Sequence, residues 1–153
     1  MKAIKLITVL LIFFQISACA GEKLNKSPSA IKIKLSTVSQ KDTSAINAFV
    51  RKGTKYLSSK ENTLDIVKTC IDSAVLICEK KNIEFPSGLH LLLAQYHFVT
   101  DDLRSASEEA AIAMKLSAGK GESDVLANTN LFLGDYYRRT GFYKESIEYY
   151  SNA

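Results

Sequence analysis

The chain has no phosphate-binding loop, no Gly-x-Ser-x-Gly elbow and no Cys-x-x-Cys pair, so the usual nucleotide, hydrolase and dithiol signatures are missing. Histidine is scarce. His90 and His97 are the only two. Their spacing puts them on one helix face and invites a metal reading, yet no third ligand is placed nearby, as a zinc site needs. Packing positions inside a helical fold are the alternative. Cysteine is scarce too, with Cys19, Cys70 and Cys78. Cys70 and Cys78, on one helix, stand roughly 12 Å apart, beyond the ~7 Å that a disulfide spans. They read as unpaired, small apolar core residues. The adjacent Asp101 and Asp102 diverge at a helix start and suit a cap better than an acid/base pair. These absences lead us to expect a non-enzymatic protein without metal or cofactor.

No stripe of one charge sign is present. The 20 cations are spread among 16 anions, for a formal net charge of +4. That pattern excludes a nucleic-acid footprint. Lys2 and Lys5 belong to the leader described next, so the chain from Cys19 carries +2. A weak attraction to anionic headgroups is all this implies.

Only one long apolar run exists, Leu6–Phe14 behind Lys2 and Lys5. It has the length of a secretory h-region and is short for a membrane-spanning helix. Ile16-Ser17-Ala18-Cys19 follows. This resembles a bacterial lipobox, which implies cleavage before Cys19 and diacylglycerol attachment to its thiol. Residues 1–18 would then be a signal peptide. Several buried acyl chains, each CH₂ contributing about 0.8 kcal/mol, make such an anchor stable. With Ala20 rather than Asp after the acceptor, the resemblance implies an outer-membrane lipoprotein facing the periplasm. Ala18 and Ala20 also form an A-x-A site before Gly21, so secretion as a soluble or periplasmic protein stays open.

Residues 19–44 are polar and read as a tether. The alternation in Ala30–Val38, AIKIKLSTV, has the period of a strand, but a lone strand would be unstable.

From residue 45 the periodicity is helical. In Ala127–Ala153, Asn130, Leu133, Gly134 and Tyr137 occupy one helix face, Gly141 marks a turn, and Ser146, Tyr150 and Ala153 line a second helix. Gly134 lets that partner lie close, and Leu133 and Tyr137 fill the space between. Forty residues upstream, His90, Leu93, Ala94 and His97 take the first set of places, and Ala106, Ala110 and Ala113 the second. Gly53, with Phe49 and Tyr56, then Val67, Ile71 and Ala74, repeats the pattern once more, although Lys52 stands where Leu is expected.

This resembles the tetratricopeptide repeat. The period near 40 exceeds the usual 34 of that repeat and is similar to the longer helical repeats of the kinesin light chain type. The polar stretch Ser117–Asp124 fits the surplus as a connection. We therefore expect an all-α domain over 45–153, with about three antiparallel helix pairs stacked as a short superhelix. The predicted helices are Thr43–Ser59, Asn62–Asn82, Gly88–Thr100, Asp101–Ser117, Asp124–Thr140 and Phe142–Ala153.

The resemblance implies an adaptor that binds peptide segments of other proteins along the first helices of each pair. Carried over by position, the lining is Asn128, Leu131, Asp135, Arg138 and Arg139, with Leu91, Gln95 and Phe98 in the preceding pair. Arg138 and Arg139 would hold a carboxylate or stand as solvated charges at a helix end. On the last helix, Tyr143, Ile147 and Tyr150 suggest self-association or another partner contact. Alternatively, these repeats front a longer envelope protein, energy-transducing or wall-modifying, whose active region follows residue 153.

Overall fold

The computed structural model of the chain describes residues 39–59 and 64–153. The expected signal peptide, the expected acceptor Cys19 and the alternating stretch Ala30–Val38, read above as part of the tether, lie outside these residues. The described residues belong to one compact unit. It holds six helices and, among the described residues, no strand. They are α1 (Gln40–Leu57), α2 (Leu64–Lys81), α3 (Ser87–Val99), α4 (Leu103–Lys120), α5 (Ser123–Thr140) and α6 (Tyr143–Ser151).

The helices pack as the pairs α1/α2, α3/α4 and α5/α6, an all-α helical-repeat arrangement. The first members also touch in series, α1 on α3 and α3 on α5. A hairpin of two amphipathic helices cannot bury its apolar face alone, so stacking is what completes the core. The core runs through the stack as neighbouring clusters. Ile46, Ala74, Cys78 and Leu89 form one. Val67, Ile71 and Leu92 form the next. Ala94, Ala106, Ala110, Ala113, Phe132 and Leu133 anchor the last. Cys70 and Cys78 are buried and unpaired, as their spacing requires.

Close approach is needed at the two glycines in corresponding places. A Cβ on Gly134 would stand 2.5 Å from the Tyr150 ring. One on Gly53 would stand 2.7 Å from Leu92 Cδ2 and 3.5 Å from Cys70 Cβ. Ala94, at the same register in the middle hairpin, is fully buried.

Four helix ends share one design. α2, α3, α4 and α5 are each followed by a residue with positive φ: Asn82 (52°), Asp101 (69°), Gly121 (67°) and Gly141 (86°). After each, the next N–H reaches back to a carbonyl five residues earlier, as from Phe142 to Tyr137 at 2.9 Å and from Asp102 to His97 at 2.9 Å. This is the Schellman closure, which satisfies carbonyls that the helix leaves unpaired. Glycine holds two of these places, and Asn and Asp, which tolerate the left-handed region, hold the others.

Boundaries differ from the sequence expectation at three points. α1 begins at Gln40 because the Ser39 hydroxyl, not Thr43 or Ser44, accepts from a first-turn N–H, that of Lys41 at 3.2 Å. Residues 40–44, assigned above to the tether, are therefore helical. At the other end of the second hairpin, Ser117–Lys120 is helix and not connection. The buried Ser117 hydroxyl donates to Ala113 O at 2.8 Å, so a polar residue is tolerated inside α4. The extra residues of the long period thus lengthen a helix, and Gly121 is what stops it. α6 closes at Ser151, leaving Ala153 exposed beyond the inner face it was expected to line.

Candidate functional site

Two adjoining depressions lie along α1, α3 and α5. One, of about 300 Å³, is lined by Leu57, Gln95, Phe98, Val99, Asn128, Leu131 and Asp135, among others. The other, of about 600 Å³, includes Val50, Arg51, Thr54, Lys55, Leu91 and Val125. They share Ser58, Gln95 and Asn128, so they form one groove with a mixed apolar and amide floor. The register of the hairpins brings this about. Residues that face away from the paired helix, at corresponding positions on α1, α3 and α5, fall on the same side of the stack.

Of the sequence-expected lining residues, Asn128, Leu131, Asp135, Leu91, Gln95 and Phe98 come together in this groove. They are not equally available. Leu91 is buried in the core. Phe98 is part-buried, edge-on to Phe132 with centroids 5.5 Å apart. Leu131 is 47% exposed and offers the most accessible apolar surface of the set.

Gln95 is unusual. Its Oε1 is sealed from solvent and has no hydrogen-bond donor among the described residues. An unsatisfied buried acceptor costs on the order of 1–3 kcal/mol.

The two arginines are engaged within the protein. Arg138 donates to Asp135 Oδ1 at 3.0 Å, and the Tyr150 hydroxyl donates to the same oxygen at 2.7 Å. Its hydrogen bonds, first with Tyr150 and then with Asp135, push the Arg138 guanidinium further up. Arg139 reaches back to the preceding hairpin. It donates to Phe98 O at 2.7 Å and to Asp101 Oδ1 at 2.7 Å, with its guanidinium carbon 4.7 Å from the Phe98 ring centroid. A cation is thereby placed at the C-terminal, partly negative end of α3. The sequence offers Asp101 or Asp102 as the cap of α4, and Asp102 is the one that caps, accepting from Ser105 N at 3.1 Å. Asp101 occupies the turn place that Gly141 fills forty residues later and receives Arg139.

Sequence reasoning missed Arg51 and Lys55. They lie one helical turn apart on α1, exposed, on the rim of the larger depression. Neither has an ion-pair partner among the described residues. The cationic run Arg51, Lys52 and Lys55 was the available signal. The first repeat matches the pattern least well, so this run does not stand out from the sequence.

The histidines sit in polar contacts between elements. His90 Nδ1 lies 2.6 Å from Glu109 Oε2, with its ring against Phe85. His97 Nδ1 lies 3.4 Å from Asp102 Oδ2. Ser87 bonds the Glu122 carboxylate. Among the described residues, no three His, Cys, Asp or Glu side chains are grouped to hold a metal. Nor is any helix among them long and apolar enough to cross a membrane. On α6, Tyr143 and Ile147 are each 67% exposed, while Tyr150 lies over Gly134.

No protein-family model matches the chain, and no curated protein or solved structure does.

Proposed function

We propose that the protein is a non-enzymatic adaptor of the bacterial cell envelope, anchored through lipid on Cys19, that holds segments of partner proteins in the groove along α1, α3 and α5. One observation carries this reading. Three hairpins present aligned first helices, and their outward positions join into a single groove floored by amides and exposed apolar side chains. Such a surface suits an extended chain, whose backbone needs donors and acceptors while its side chains need apolar contact. The repeated place of Gly53, Ala94 and Gly134 supports a tetratricopeptide-like origin for the hairpins. Ile16-Ser17-Ala18-Cys19 behind an apolar run supports export and acylation.

Site-specific photocrosslinking in the host tests the adaptor. A crosslinker at Leu131, in the groove, should give a discrete protein adduct. One at Ile112, exposed on α4, should not. Equal labelling from both positions, or none from either, would sink the reading. Cys19→Ser should release the protein from the membrane fraction if the anchor is right, and leave its distribution unchanged if the chain is simply secreted.

A further inference from the structure

Resting on the groove reading above, we infer that the groove takes acidic segments of partner proteins, with Arg51 and Lys55 as the residues that select them. The cations first expected to do this are already occupied. Arg138 is held by Asp135, and Arg139 by Asp101 and the Phe98 carbonyl. A carboxylate arriving there would meet a guanidinium whose charge is already offset by a neighbouring carboxylate. Arg51 and Lys55 have none among the described residues, and both border the groove at the α1 end.

The charge is also unevenly placed. α1 carries Lys41, Arg51, Lys52 and Lys55 against Asp42 alone, and Asp42 already pairs with Lys81 at 3.6 Å. α3 has neither acidic nor fixed cationic side chains, and α5 balances Asp124 and Asp135 with Arg138 and Arg139. The helices that line the groove are therefore positive at one end and close to neutral elsewhere, which favours an anionic occupant.

A second, independent feature specifies a polypeptide. The Gln95 amide stands where the two depressions meet, and its oxygen has no donor among the described residues. The terminal torsion of a glutamine is broad, so a small rotation offers this oxygen to a backbone N–H lying in the groove. Asn128, beside it on α5, offers a second amide. Leu131 and Val99 give the occupant an apolar contact in the smaller depression. Carboxylates near Arg51 and Lys55, a backbone N–H at Gln95 and an apolar side chain at Leu131 together describe an acidic peptide with a large apolar residue. A flat anionic lipid surface would use the cations but would leave Gln95 and Leu131 without a role.

Random twelve-residue peptides displayed on phage, selected on the full chain, test this. Enriched sequences should be rich in Asp and Glu and carry one large apolar residue. Arg51→Glu combined with Lys55→Glu should weaken a selected peptide by about tenfold or more, as expected for charge-assisted contacts. Arg104→Ala, on α4 and outside the groove lining, should leave it within about twofold, as expected of an exposed i,i+4 pair. The charge-reversed positions are exposed, so circular dichroism should remain that of the parent. Enrichment with no charge bias, abolished by Leu131→Arg, would overturn the acidic selectivity while leaving the groove in place. Enrichment no different from that on Leu131→Arg would overturn both. Binding to phosphatidylglycerol vesicles that is lost on charge reversal, without peptide enrichment, would make α1 a membrane contact and overturn the peptide.

Discussion

Gly134 is where the ring of Tyr150 crosses α5, and the added methyl of Gly134→Ala would meet ring carbons at 2.5 Å. Both the ring and its hydroxyl bond to Asp135 would have to shift. Ser146, whose hydroxyl donates to Gly134 O at 2.8 Å, would be dragged along. We expect a loss of about 1–3 kcal/mol, the range for overpacking a filled site, read as a lower urea midpoint at unchanged slope. Gly53→Ala should cost less, because the nearest atom belongs to the flexible end of Leu92. At this scale the sequence was informative about small residues and silent about long ones. A small residue at 134 is what the resemblance to the repeat pattern implies. That Arg139 would fold back onto Phe98 and Asp101 does not follow from it, because a long side chain selects its partner only after the neighbouring hairpin has been placed.

Helix α4 begins with a cap whose charge matters. The Asp102 carboxyl is held below its ordinary range, chiefly by hydrogen bonds from the Ser105 side chain and N–H. A carboxylate lowered in the folded state contributes stability that is present above the ordinary carboxylate range. That contribution disappears as pH falls through the lowered value. Asp102→Asn keeps a capping oxygen but cannot ionise. Stability of the variant measured from pH 6 down to about 2 should therefore fall less steeply than the parent's, in the window where carboxylates protonate. Identical slopes would show that Asp102 is not responsible. At the element scale, helix existence and pairing were legible from period and turn residues. The ends were less so. Ser39 outcompeted Thr43 as a cap, and Ser117 satisfied itself within α4 instead of starting a loop.

Across the whole molecule, burial is graded. α6 contributes a single buried residue, Ser146, whereas α2 contributes Val67, Cys70, Ile71, Ala74 and Cys78. Backbone amides of α6 should exchange with solvent first and those of α2 and α4 last, since opening free energy follows buried contact. Hydrogen exchange followed by mass spectrometry reads this order, and uniform protection across all six helices would contradict it. The groove was only partly legible in the sequence. Its α3 and α5 walls followed from the repeat register. Its α1 wall did not, because Lys52 obscures the register there. The side chain of Arg139, fastened to the turn between α3 and α4, has a mechanical consequence. Drawn from its C-terminus, the chain should yield in two stages. α6 would peel from α5 at low force, and tension would then load the guanidinium at Asp101 and the Phe98 carbonyl before α5 could leave. Arg139→Ala should merge the two steps into one in a force–extension trace.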